Sequence, residues 1–303
     1  MIEFREIKSR KIYKLKIREE KISAKFPLDE NMDKINWKKI RKIVDTSAKL
    51  YKIPRSLRIK EYKKNKLHYE EITPRKLTNN DVIIYFHGGG FVLGNAVYTR
   101  HYTKALSKKT GSIIYSIDYP LAPDNKITDI MDNVMAIYDV IVEKHENSNI
   151  TLMGTSAGGC IALALTLRII KEKKKSVHAL IMHSPLLDLS DSFNPANEIN
   201  DKVIFDTCKK GVSKVVLGTY KKKGYYVSPL LHVNDKLPKT LITVDNEETL
   251  FTDSYMYYNK CIENDVKCDL IIYKNGYHAF QTLANKTKET KELMNIMNDF
   301  IKD

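Results

Sequence analysis

Apolar residues in the first fifty positions recur at helical spacing. Ile40, Val44 and Ala48, with Trp37 and Tyr51 one turn outside them, form a stripe that ends at Pro54. The pattern predicts helices over this stretch, with a face that must rest on another element. From Ser56 the period shortens. Leu57-Arg58-Ile59-Lys60 and Leu67-His68-Tyr69 predict two short strands joined by a Lys-Asn turn, an antiparallel hairpin. A continuous apolar run, Val82-Ile83-Ile84-Tyr85-Phe86, then predicts a buried strand that stops at His87-Gly88-Gly89-Gly90. Beyond it, strands predicted at 112–117, 150–153, 179–182, 241–244 and 270–273 alternate with helices at 129–142, 157–170, 254–262 and 286–301. Such alternation implies an α/β chain with a mostly parallel sheet covered by helices on both faces. Ligands of such sheets gather at the carboxyl ends of the strands.

One stretch breaks the alternation. More than fifty residues separate the strand ending near His183 from the one starting near Leu241, with a helical pattern around 204–217. A structureless loop of that length is improbable in a compact domain. An inserted cap is expected instead, packing with the N-terminal helices over the carboxyl ends of the strands. The predicted organisation is an N-terminal part at 1–53, a core at 54–188 and 226–303, and an insert at 189–225.

Composition narrows the function classes. The 303 residues are 43% hydrophobic and 29% charged, ordinary for a soluble globular chain and incompatible with wholesale disorder. No stretch approaches the roughly 20 apolar residues of a membrane span. The opening segment alternates charged and apolar residues without an h-region, so a cytoplasmic location is expected. Fifty-one basic residues against 37 acidic ones give a net charge of +14, yet only nine of the basic residues are Arg. Nucleic-acid readers favour Arg for bidentate contacts, so scattered lysines suit a solvated surface better than a nucleic-acid interface. Cys160, Cys208, Cys261 and Cys268 show no metal-ligand spacing, and neither a metal nor an organic cofactor is expected.

The glycines carry the chemistry. Of the 12 in the chain, six lie in two short motifs, Gly88-Gly89-Gly90 and Gly154-Thr155-Ser156-Ala157-Gly158-Gly159. The second follows the apolar run Ile150-Thr151-Leu152-Met153 and precedes an apolar helix. That context suits a nucleophile elbow, in which small neighbours let strand and helix approach closely around a strained serine. No Lys-Ser/Thr pair follows the glycines, which argues against a phosphate-binding loop. In the first motif, consecutive glycines leave backbone N–H groups open to a ligand. Oxyanion donors are therefore expected at Gly88, Gly89 and Ala157, with His87 bracing the loop.

A serine nucleophile needs a base. Among eight histidines, His278 alone follows the last predicted strand, in the order Ser, acid, His expected of an α/β-hydrolase. Asp245, Glu247, Glu248 and Asp253 all follow the strand at 241–244 and remain candidates for the acid, although Asp253 could instead cap the next helix.

These residues resemble the hormone-sensitive-lipase-like branch of the α/β-hydrolases, the bacterial family IV carboxylesterases. The resemblance runs from about Asp81 to Phe280 through HGGGF at 87–91, DYPLAPD at 118–124, GTSAGG at 154–159, SPLLDLS at 184–190, YVSPL at 226–230 and NGYHAF at 275–280. It implies a helical cap, a short-acyl ester as substrate, and an acid within Glu248-Thr249-Leu250-Phe251-Thr252-Asp253, which puts Glu248 in a triad with Ser156 and His278. It also implies a possible homodimer and a substrate pocket for which Phe91, Tyr119, Leu186 and Tyr277 are candidates. An amidase or deacetylase could use the same machinery. A silent small-molecule receptor of this fold is disfavoured because His278 is present. The chain departs from the family at Asp124, where Glu is usual, in lacking the Pro-Ala pair that usually follows it, and at Asp245-Asn246, where a glycine is usual. The last departure keeps Asp245 as an alternative acid.

Overall fold

A computed structural model describes residues 1–25, 29–48, 57–190, 201, 203–204 and 207–303. Its centre is a sheet in the order β1-β9-β8-β7-β6-β4-β5-β3-β2. The strands are β1 (Ile2–Glu6), β2 (Leu57–Lys64), β3 (Leu67–Pro74), β4 (Val82–Phe86), β5 (Ile113–Ile117), β6 (Ile150–Thr155), β7 (Ala179–His183), β8 (Lys239–Asp245) and β9 (Cys268–Lys274). The ladders from β5 through β4, β6, β7, β8 and β9 to β1 are parallel, whereas β3 is antiparallel to both β2 and β5. The predicted hairpin is therefore present, with longer strands. Its turn, Asn65-Lys66, takes positive φ at both residues, 51° and 65°, the twist that suits a two-residue connection between right-twisted strands.

The apolar run of β4 feeds two cores. Val82, Ile84 and Phe86 join the cluster on one face of the sheet, and Ile83 and Tyr85 join the cluster on the other. A strand covered on both sides needs apolar residues at every position, so its period-2 alternation is invisible in the sequence. Helices α4 (Ile127–Lys144), α5 (Ala157–Lys171) and α7 (Phe251–Glu263) contribute to the first face, while α3 (Ala96–Thr110) and α8 (Lys288–Lys302) cover the second. Among the described residues no helix is long and apolar enough to cross a membrane.

The N-terminal segment differs from the reading of its first fifty residues as helical. Residues Ile2–Glu6 form β1, parallel to β9, and add an edge strand to the core sheet. Helices α1 (Arg10–Lys25) and α2 (Trp37–Ala48) follow. Tyr51 and Pro54, which close the predicted apolar stripe, lie outside the described residues, as do residues 191–200, 202 and 205–206 of the predicted cap insert. The described part of that insert contains α6 (Cys208–Val216). Gly211 of α6 packs closely on the segment before α2, since a methyl built there would lie 2.0 Å from the Asp29 carbonyl oxygen.

Two polar anchors join these elements to the core. Arg41 of α2 donates from Nε to the Val92 carbonyl (2.8 Å) and from Nη1 to Asp124 (2.6 Å), and also reaches the Ala122 carbonyl. The shorter carboxylate at position 124 thus has its own cationic partner. Lys209 of α6 pairs with the fully buried Asp253 at 2.5 Å.

Candidate active site

Ser156 stands between β6 and α5 with φ 55° and ψ −120°, outside the regions most L-residues occupy. Neighbouring backbone holds it there. Its N–H donates to the His183 carbonyl (2.9 Å), and its carbonyl accepts from the amides of Gly159 (2.9 Å) and Leu186 (3.1 Å). The turn is this tight because two glycines permit it. A methyl on Gly154 would lie 2.1 Å from the Gly158 carbonyl oxygen, and one on Gly158 would lie 2.1 Å from that of Phe86. No side chain fits at either position without separating β4, β6 and α5.

The glycine loop after β4 lies beside this turn. A methyl built on Gly88 would be 3.3 Å from Ser156 Cβ, and Gly89 has φ 118°. Gly89 turns the chain, its carbonyl accepting from the amides of Val92 (3.0 Å) and Leu93 (2.9 Å). Among the described residues, the amides of Gly88, Gly89 and Ala157 donate to no other group. His87 is fully sequestered and stacks on Tyr119 with ring centroids 4.2 Å apart. Burial pushes its pKa down to about 4, and Tyr119 Oη donates to its carbonyl at 2.7 Å. Its ring is held against the Gly88 carbonyl and Tyr119, and burial disfavours its charged form.

Glu248 and His278 stand in the loops that follow β8 and β9. His278 Nδ1 lies 2.7 Å from Glu248 Oε2. The other Glu248 oxygen accepts from Ser184 Oγ (2.7 Å) and from the Asp245 amide (2.9 Å). Burial opposes charge on the imidazole, but the hydrogen bond and charge of Glu248, with the charge of Asp201, outweigh it and hold the His278 pKa above its ordinary value. Among the described residues, the hydrogen bonds of Ser156 are those of its backbone. Bonds between a nucleophile and its base are often long until substrate draws them together.

The other acid candidates are engaged elsewhere. Asp245 accepts from the Glu247 amide (3.1 Å) and the Gly276 amide (2.6 Å). Glu247 pairs with Lys16 at 2.7 Å on the surface. Asp253, besides its Lys209 partner, accepts from the amides of Leu187 (2.8 Å) and Asp188 (3.1 Å), and so ties the segment after β7 to α7.

A family model described as the alpha/beta hydrolase fold matches residues 83–282, more than half of the chain. The chain belongs to the α/β-hydrolase fold family. Among curated relatives of this hydrolase, an esterase of Acinetobacter venetianus is 27% identical over 266 residues, covering 86% of this chain and 87% of that one. The 3-O-acetylpapaveroxine carboxylesterase of Papaver somniferum is 27% identical over 296 residues, covering 87% and 88%. A solved esterase from the bacterial hormone-sensitive lipase family superposes with a TM-score of 0.84 at 21% identity, over 97% of this chain and 98% of that one. The resemblance carried by the motifs is thus borne out.

The four pocket candidates of this α/β-hydrolase have different surroundings. Tyr277 lines a cavity of about 880 Å³ that also touches His278, Glu248, Asp245 and the α1 residues Tyr13 and Lys16. Tyr119 borders a second cavity of about 800 Å³, lined also by Arg41, Asn65, Gly94 and Asp118. Phe91 and Leu186 are buried, and the Leu186 amide donates to the Ser156 carbonyl.

Two residues of the site had no role assigned from sequence. Ser184, buried with φ 44°, donates to Glu248 and accepts from the Ala279 amide (3.3 Å) and Gln281 Nε2 (3.3 Å). It opens the SPLLDLS motif, which was the available signal. Asp201 accepts from the Thr249 amide at 2.9 Å and contributes to the field at His278; nothing in its sequence context marks it.

Proposed function

We propose that the protein is a serine carboxylesterase acting on short-acyl, small-molecule esters in the cytoplasm. Ser156 is the nucleophile, His278 the general base, Glu248 the acid that orients it, and the amides of Gly88, Gly89 and Ala157 form the oxyanion hole. The observation that carries this reading is the 2.7 Å contact of His278 Nδ1 with Glu248, in a fold that sets a strained serine beside a glycine loop.

The chemistry follows from those positions. With Nδ1–H committed to Glu248, Nε2 is the free ring nitrogen and can take the Ser156 proton as Oγ attacks the acyl carbonyl. The negative charge that develops on the carbonyl oxygen is met by amides already oriented at the glycine loop and the α5 N-terminus, so little reorganisation is needed. The imidazolium then protonates the leaving alcohol. Water, deprotonated by the same ring, releases the acid from Ser156. The names of the esterase relatives support ester bonds as the target, and the Papaver enzyme's name specifies an acetyl ester.

Hydrolysis of p-nitrophenyl esters from acetate to octanoate tests the reading. Activity is expected with the shorter esters and absent from Ser156→Ala. Wild-type turnover no greater than that of Ser156→Ala would overturn it.

A further inference from the structure

Asp245 is a second buried carboxylate in the acid loop, and it does not touch the imidazole. Its side chain is fully sequestered at the end of β8, three residues before Glu248. Its two oxygens take separate partners in two different segments. Oδ1 accepts from the Glu247 amide at 3.1 Å, within the acid loop, while Oδ2 accepts from the Gly276 amide at 2.6 Å, in the turn that carries His278. Its own amide donates to Glu248 Oε1 at 2.9 Å. The fit is close, since a methyl on Gly276 would lie 2.6 Å from Asp245 Oδ2.

Taking the triad reading above as its basis, we propose that Asp245 is a positioning residue for His278, clamping the Gly276 turn to the Glu248 loop so that base and acid move as one unit. A carboxylate suits this task because it accepts from two backbone donors at once. An amide in its place has one oxygen and can satisfy only one of them. Burial and the Glu248 charge raise the Asp245 pKa to about 7, with the amides of Glu247 and Gly276 and the Lys16 charge opposing the rise. A carboxylate retained despite that cost is consistent with a role that needs both oxygens.

The test compares Asp245→Asn and Asp245→Ala with wild type on p-nitrophenyl acetate. Displacements of about 1 Å at a reacting group can lower rates by 100-fold, so we expect kcat to fall about 3-fold to 10-fold in Asp245→Asn and about 10-fold to 100-fold in Asp245→Ala. KM should stay within about twofold of wild type, because no substrate contact is removed. If Asp245→Ala does not fold, the nearly isosteric Asp245→Asn carries the test alone. Wild-type kcat in a folded Asp245→Asn, or an increase in KM at unchanged kcat, would overturn the inference. Hydrolysis by wild type that Ser156→Ala lacks keeps the esterase reading intact in either case, whereas its absence would sink that reading first.

Discussion

The serine turn and the acid–histidine pair hold their residues by different means. Ser156 is fixed by backbone: main-chain hydrogen bonds with His183, Gly159, Cys160 and Leu186, and glycine contacts too close for any side chain. His278 is fixed by side chains, through Glu248, Ser184 and Asp245, which join the ends of β7, β8 and β9. A backbone-built feature tolerates almost no substitution but leaves a strong sequence signal, because only glycine satisfies it. A side-chain network tolerates exchange of its members and leaves little signal, because any group with the right donors can serve.

The largest effects should fall on the serine turn. On the proposed mechanism Ser156→Ala removes the nucleophile, and it should lower kcat/KM for p-nitrophenyl acetate by about 10,000-fold or more while leaving the melting temperature unchanged. Gly158→Ala should act on the fold instead. Its methyl would meet the Phe86 carbonyl oxygen at 2.1 Å, so the start of α5 must move off β4. We expect a loss of about 3 kcal/mol or more in urea unfolding, or insoluble protein. A soluble Gly158→Ala variant of wild-type stability would show that the turn is looser than its contacts imply.

The same contrast explains what could be read from the sequence. The elbow, the glycine loop and the parallel sheet were legible because close packing demands glycine and because strands buried on both faces are apolar throughout. Helix α3 was not. Its buried face carries Thr99, Thr103, Lys104, Ser107 and Thr110 beside Ala96, Tyr102 and Leu106, so no apolar period emerges. The local signals were present, in Asn95 accepting from the Tyr98 amide at 2.7 Å and Gly111 closing the helix at φ 72°. Strand β1 escaped for another reason: it is an edge strand of five residues whose Phe4 is 75% exposed, so it gains its place from the β9 ladder and not from burial. Ser184 and Asp245 were visible as residues but not as partners, since their roles depend on loops that meet only in the folded chain.

The side-chain network should respond in graded steps. Glu248→Gln keeps the shape of the acid but removes the charge facing His278, and should lower kcat by about 100-fold to 10,000-fold. Wild-type activity in that variant would exclude Glu248 as the triad acid. The pH profile follows from the same pair. As the proposed base, the imidazole must be neutral to accept the serine proton, and its pKa lies above the ordinary value because Glu248 and Asp201 outweigh burial. The rising limb of kcat/KM should therefore have its midpoint above about 6.5, the unperturbed imidazole value. In Glu248→Gln, burial meets less opposition and the residual activity should rise at lower pH. A midpoint that does not move would show that Glu248 does not set the charge state of the base.

Ser184→Ala should have the smallest effect on rate and the most informative one. The hydroxyl does not reach the imidazole; it donates to Glu248 and accepts from Ala279, so its influence on catalysis passes through the acid and the His278 loop. Loss of one such bond typically costs about 1 kcal/mol, which predicts a kcat decrease of about 3-fold to 10-fold at constant KM. Its route can be read from a double-mutant cycle. With Glu248 replaced by Gln, the bond from Ser184 no longer orients a charged acid, so adding Ser184→Ala should lower kcat by less than about twofold. Additive losses in the two backgrounds would mean that Ser184 acts by a separate path, through Gln281 and the backbone of the His278 loop, and that the acid is held well enough without it.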